Sequence, residues 1–162
     1  MNKKVFCIFF SLLAVVVIAL PMSTTYAKKP EPVEFTMVVD GTTGHTTTDP
    51  SGNSDTSIVT KSNFMFTCTG DVDGSGYFDV REVVRKGGAW KTSTGLYVID
   101  ATVDGKSGTL FIKTSVNTRD PNPSYWRIVS GTDDLVNLHG QGTFVFIPTQ
   151  GLVFTGQVHF EP

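Results

Sequence analysis

Residues 125–146 read YWRIVSGTDDLVNLHGQGTFVF, and this stretch decides the fold. Trp126 and Ile128 fall on one face of an extended chain, with Tyr125, Arg127 and Val129 on the other. The polar run Gly131 to Asp134 then breaks the alternation. A Gly-rich crossing through Gly140 and Gly142 follows, and Phe144 and Phe146 resume against Thr143, Val145 and Ile147. Period-two alternation on both sides of a tight polar turn is the mark of paired strands with one buried face. Gly131, Gly140 and Gly142 are read as backbone necessities, placed where the chain turns or two strands approach closely.

The same pattern extends in both directions. Leu152, Phe154, Val158 and Phe160 oppose Val153, Thr155, Gln157 and His159 in the last segment. Upstream, Leu96 to Val103 and Thr109 to Ser115 flank DGKSG at residues 104–108, whose residues tolerate positive φ, so these segments form a hairpin. Tyr77 to Val84, Ile58 to Val72 and Phe35 to Val39 are further strands, and Phe64, Phe66 and Cys68 share one face. Asp40 to Ser57 reads as a long loop with a short strand around His45 to Thr48, and RDPNPS at 119–124 as a loop whose prolines interrupt any ladder. No helical stripe longer than two turns follows Ala27. About eight short strands at close spacing predict an all-β domain, a closed antiparallel barrel or a sandwich. The barrel is preferred because short meander connections let the last strand pair with the first and leave no edge.

The N-terminal residues 1–27 have the form of a signal peptide: Lys3 and Lys4, an apolar run from Val5 to Leu20, then Pro21 and a small residue at Ala27. The run is shorter than a spanning helix needs, so cleavage is preferred over a retained anchor. Residues 28–32 are a linker and 33–162 the barrel domain. The 135 residues after the signal suffice for one core. The expected location is secreted or in the cell envelope. Cys68 is then the sole thiol, since Cys7 lies in the signal, so packing rather than a disulfide holds the core. After residue 27 eleven basic residues stand against 15 acidic ones, with no basic run interleaved with aromatics, which argues against nucleic acid and against a polybasic membrane patch.

The sharpest chemical motif is DVDGSGYFDVRE, residues 71–82. As a twelve-residue calcium loop it would use Asp71, Asp73, Ser75, the Tyr77 carbonyl, Asp79 and Glu82, with Gly76 at the sharp turn. It resembles the calcium loops of EF-hand and dockerin modules, though Phe78 replaces an aliphatic residue, the entering helix is missing and there is no second copy. A Gly-rich hairpin with solvated acids is the competing reading. Gly105-Lys106-Ser107 lacks the leading glycine and helix of a phosphate loop. His45, His139 and His159 show no metal-ligand spacing, and no nucleophile elbow occurs. Trp90 and Trp126 read as packing in the core or at the barrel mouth.

Trp126, Ser130, Gly131, Thr132, Leu135, Leu138, Gly140 and Gly142 also carry a family resemblance. Together with Gly70-Asp71 and the stretch VDGKSGTLF at 103–111, they resemble a family of uncharacterised prokaryotic proteins, departing from it at Asp133, Asp134 and Asn137. The resemblance implies an eight-stranded barrel of the allene oxide cyclase or calycin kind and a hairpin at Asp71 to Gly76. The cyclase holds a fatty-acid-derived substrate in its barrel, but no catalytic position carries over. The leading functional expectation is a non-catalytic binding module for a small apolar molecule, lined by Phe64, Phe66, Cys68, Trp126, Phe144 and Phe154. One alternative is a calcium-binding structural or adhesion domain using residues 71–82. The other is an isomerase or cyclase, for which Glu82, Asp100 and His139 are the candidate polar groups.

Overall fold

A computed structural model describes residues 29–50, 55–119 and 124–162. Among the described residues nine strands run in chain order: β1 (Glu31–Val39), β2 (His45–Pro50), β3 (Thr56–Gly70), β4 (Asp73–Arg85), β5 (Trp90–Val103), β6 (Lys106–Asn117), β7 (Ser124–Gly131), β8 (Leu138–Ile147) and β9 (Gly151–Phe160). Each strand from β3 to β9 pairs antiparallel with the next. β1 pairs with β9 on one side and β3 on the other, so β1 and β3–β9 close an eight-stranded antiparallel barrel. The family expectation of an all-β closed barrel is met. The signal residues 1–27 and the prolines at 121 and 123 lie outside the described residues.

β2 is an addition to the barrel. It lies along residues Ser57–Ser62 of β3, above the point where β1 stops pairing, so the expected long loop holds an exposed six-residue strand. His45 opens that strand and is exposed. β1 begins at Glu31, four residues before the expected strand start at Phe35.

Turn chemistry explains the connections. Asp104 (φ 51°) and Gly105 (φ 73°) both adopt the left-handed region, the two-residue turn whose twist matches the β5–β6 hairpin. Asp133–Leu135 form a single 3-10 turn after β7. It drops Leu135, fully buried, under the barrel floor.

Inward residues make one continuous core. Val72, Val103, Leu110, Leu135 and Leu138 seal the lower end. Above them sits an aromatic layer in which Phe154 stacks on Phe35 (4.7 Å between centroids) and on Phe144 (5.0 Å), with Trp126 and Tyr97 edge-on. The Trp126 indole N–H is shared between the Thr143 and Thr155 carbonyls, 3.1 Å from each. Trp126 is therefore core; Trp90 is half-buried, with the Lys86 ammonium 4.0 Å and the Arg119 guanidinium 3.6 Å from its ring centre.

Candidate functional site: the upper barrel mouth

β3, β4 and β5 outrun the other strands at the upper end, while β1 stops at Val39. The barrel is consequently sealed below and open above. A cavity of about 470 Å³ occupies this mouth, within the range of small-molecule sites. Phe64, Phe78, Tyr97 and Phe144 contribute aromatic surface. Val39, Leu152 and the largely exposed Phe146 line it from the β1, β9 and β8 side.

The polar groups enter from β3–β7. Lys61, Glu82 and Lys91 point inward from three adjacent strands, joined by the Ser93, Thr114 and Ser124 hydroxyls. Glu82 is the most buried of the three charged side chains, at 12% exposure. Its Oε1 faces the Lys61 ammonium at 3.4 Å and the Lys91 ammonium at 3.5 Å.

An irregularity in β3 creates this arrangement. Its register with β4 shifts between Lys61 and Phe64, where Asn63 takes φ 58° and donates its backbone N–H to Asp79 Oδ1 at 2.9 Å. Below the bulge Phe64, Phe66 and Cys68 face inward. Above it the parity inverts, and Lys61 faces inward.

Of the six expected lining residues, Phe64 and Phe144 border the cavity. Phe66, Cys68, Trp126 and Phe154 are instead closed into the core beneath it, each no more than 2% exposed. Alternation identified their face but not their height along the barrel axis.

The calcium-loop reading does not match the geometry. Asp71 lies in the turn after β3, while residues 73–82 are extended in β4 and span roughly 30 Å, too far for a shared ion. Asp73, Tyr77 and Asp79 are exposed on the outer face, whereas Glu82 faces inward. Asp71 Oδ2 instead accepts the Glu34 backbone N–H at 2.8 Å, pinning β1 to the β3–β4 turn. Among the described residues no group of three His, Cys, Asp or Glu side chains is arranged to hold a metal.

The three polar groups considered for an enzyme are also separated. Asp100 is exposed and accepts the Thr109 hydroxyl at 2.8 Å, and His139 is exposed on β8. Only Glu82 reaches the cavity. His139 and His159 do meet, as partners across β8 and β9, with ring centroids 5.6 Å apart and both facing Glu161. Sequence spacing could not show this because the register, not chain distance, makes them neighbours.

Burial sets the acid–base character of the interior. It pushes the Cys68 thiol from 9.0 up to about 12, with the Asp73 charge adding to the effect. It pushes the Tyr97 hydroxyl from 10.0 to about 12, where a hydrogen bond with Thr114 opposes the shift and the Glu82 charge adds to it. A folded-state value above the unfolded one leaves stability intact below the unfolded value and removes it as pH rises towards the folded one. The melting temperature is therefore expected to hold to about pH 9 and to decline towards about 12. Native Cys68 should resist a disulfide reagent at pH 8 and react once urea unfolds the chain. Reaction in the native state at the rate of free cysteine would contradict the burial.

A larger, more open trough of about 660 Å³ crosses the outer wall over β6–β9, lined by Lys113, Tyr125, Arg127, Gln141, Thr143 and Gln157 among others. The mouth is the better candidate site because inward side chains from both sides of the barrel converge on it.

No curated protein matches the sequence. A crystal structure of a protein of unknown function from the DUF3224 family of Shewanella oneidensis MR-1 has a similar fold. The two superpose with a TM-score of 0.67 at 13% identity, covering 83% of this chain and 99% of that one. The sequence pattern of that family, described as "Protein of unknown function (DUF3224)", matches residues 33–154, and the chain belongs to the DUF3224 family.

Proposed function

We propose that the protein is an exported, non-catalytic binding module that holds a small apolar molecule in the barrel mouth. The observation carrying this reading is the cavity of about 470 Å³, faced by Phe64, Phe78, Tyr97 and Phe144 and open at the rim. The rings of Phe78, Tyr97 and Phe144 form its largely buried floor, while the partly exposed Val39, Phe64 and Leu152 and the exposed Phe146 offer apolar surface whose covering by a ligand is favourable. In the same reading the barrel is of the allene oxide cyclase kind, used here for retention rather than chemistry; among the described residues Glu82 is the only carboxylate that lines the mouth, and it is occupied by two lysines.

N-phenyl-1-naphthylamine, a neutral dye that brightens in apolar surroundings, tests the reading. Saturable binding of one dye per chain is expected. Val116→Trp, which places an indole into the cavity from its lining, should abolish binding while leaving the β-sheet circular dichroism intact. The proposal fails if the wild type shows no saturable binding, or if the folded Trp variant binds as well as the wild type.

A further inference from the structure

The mouth is apolar on one side and charged on the other. Among the described residues, Lys61 and Lys91 are the cations that line it and Glu82 the one anion. Inward-facing lysines are unusual in a small barrel, where interior positions are normally filled by apolar side chains. Both ammonium groups approach the same carboxylate oxygen at long range, 3.4 and 3.5 Å. One carboxylate balances one charge, so the described lining residues retain a single positive charge in excess. The lysine side chains are 37% and 40% exposed, against 12% for Glu82. The cations are thus accessible while the carboxylate is held deeper.

We propose that the ligand of this site carries one acidic group on its apolar body, and that Lys61 and Lys91 hold that group at the rim. This rests on the mouth being a binding site and adds the charge of what it binds. The apolar body lies against Phe64, Phe78 and Phe144, and the ligand's acidic oxygens accept hydrogen bonds from the two ammonium groups. Glu82 positions both lysines: it keeps them turned into the mouth and sets the excess at one charge rather than two. A second negative charge on the ligand would meet Glu82, so a monoanion is preferred over a dianion.

The test uses two dyes with the same ring skeleton. 8-Anilino-1-naphthalenesulfonate is N-phenyl-1-naphthylamine with one added sulfonate. The sulfonate dye is expected to bind about tenfold more tightly, the effect of one charge-assisted contact at a partly dry site. Lys61→Met and Lys91→Met should each reduce the ratio of anionic to neutral affinity, and together abolish the preference. Glu82→Gln should act in the opposite sense and raise the ratio, which a loss of folding cannot imitate. Raising the salt concentration should weaken the anionic dye selectively. Equal affinities for the two dyes, or a ratio unchanged by these three substitutions, would overturn the acidic-ligand inference while leaving the apolar site standing. Failure of both dyes to bind would overturn the apolar site itself, and the inference with it.

Discussion

Phe154→Ala is expected to cost roughly 3–5 kcal/mol of stability, the range for removing a fully buried aromatic ring. Phe154 is 0% exposed and lies at the centre of the aromatic layer. Its ring stacks on Phe35 and Phe144 and meets Trp126 and Tyr97 edge-on, at 6.3 and 6.4 Å. Phe35 and Phe144 are its register partners on the flanking strands β1 and β8, whereas Trp126 and Tyr97 come from β7 and β5, which do not pair with β9, so the ring also joins opposite walls of the barrel. Strands closed by hydrogen bonds on both sides cannot collapse freely into the vacated space, which places the cost towards the upper part of the range. The measurement is urea unfolding of the wild type and the variant, compared by midpoint with the slope held common. A loss below about 1 kcal/mol would mean that the four rings do not pack around Phe154 as described.

Gly142→Val is expected to be nearly as damaging, by overpacking rather than by a void. Gly142 and Gly156 are register partners on β8 and β9, and the Trp126 ring covers the pair. A Cβ at Gly142 would lie 2.6 Å from the Gly156 Cα and 2.7 Å from the Trp126 Nε1, and would also collide with the Thr155 carbonyl oxygen. A Cβ at Gly156 would lie 2.7 Å from Trp126 Cζ2. Backbone obstructs the added group at Gly142, so rotating a side chain cannot relieve it. The indole must move, and its N–H loses two carbonyl acceptors in a buried setting. A loss of roughly 3 kcal/mol is expected, at the upper end for overpacking. Urea unfolding reads the loss, and a red shift of tryptophan emission reports the displaced indole. Trp126→Phe in the Gly142→Val background should recover part of the loss, because the smaller ring vacates the contested space. Strict additivity of the two substitutions would argue against the shared slot.

These effects depend on features that differ in how far they can be read from residues alone. The alternation of Trp126, Phe144, Phe154 and Leu152 was readable because a strand with one buried face must repeat every two residues. The 104–105 turn was readable for a similar local reason: few residue pairs tolerate two successive positive φ angles. Gly140 and Gly142 could be recognised as positions where a side chain is excluded. That the excluded volume at Gly142 is filled by the β9 backbone and by Trp126 depends on the strand register across β7, β8 and β9, which residue types do not specify.

The calcium reading went astray for a related reason. Acids at positions 71, 73, 79 and 82 have loop spacing, but the intervening residues pair on both edges, with β3 and with β5, and the chain stays extended. Once extended, odd and even positions part to opposite faces, and Glu82 leaves the acids at 73 and 79. The six aromatic and thiol candidates were placed on the right face without their depth, because alternation has no coordinate along the barrel axis. Lys61 was missed because an unbroken alternation back from Phe64 would turn it outward. Asn63, a residue that accepts φ > 0 more readily than most, is the one local signal that the parity could change there.

The sequence by itself determined the wall of this protein: strands of period two, turns able to reverse them, and enough inward apolar residues to close a barrel without a disulfide. Only the tertiary structure decided the mouth. Lys61, Glu82 and Lys91 converge because one bulge inverts a strand face and three strands outrun their neighbours. Both are consequences of register, and register is set by the pairing of whole strands rather than by the residues at any one position.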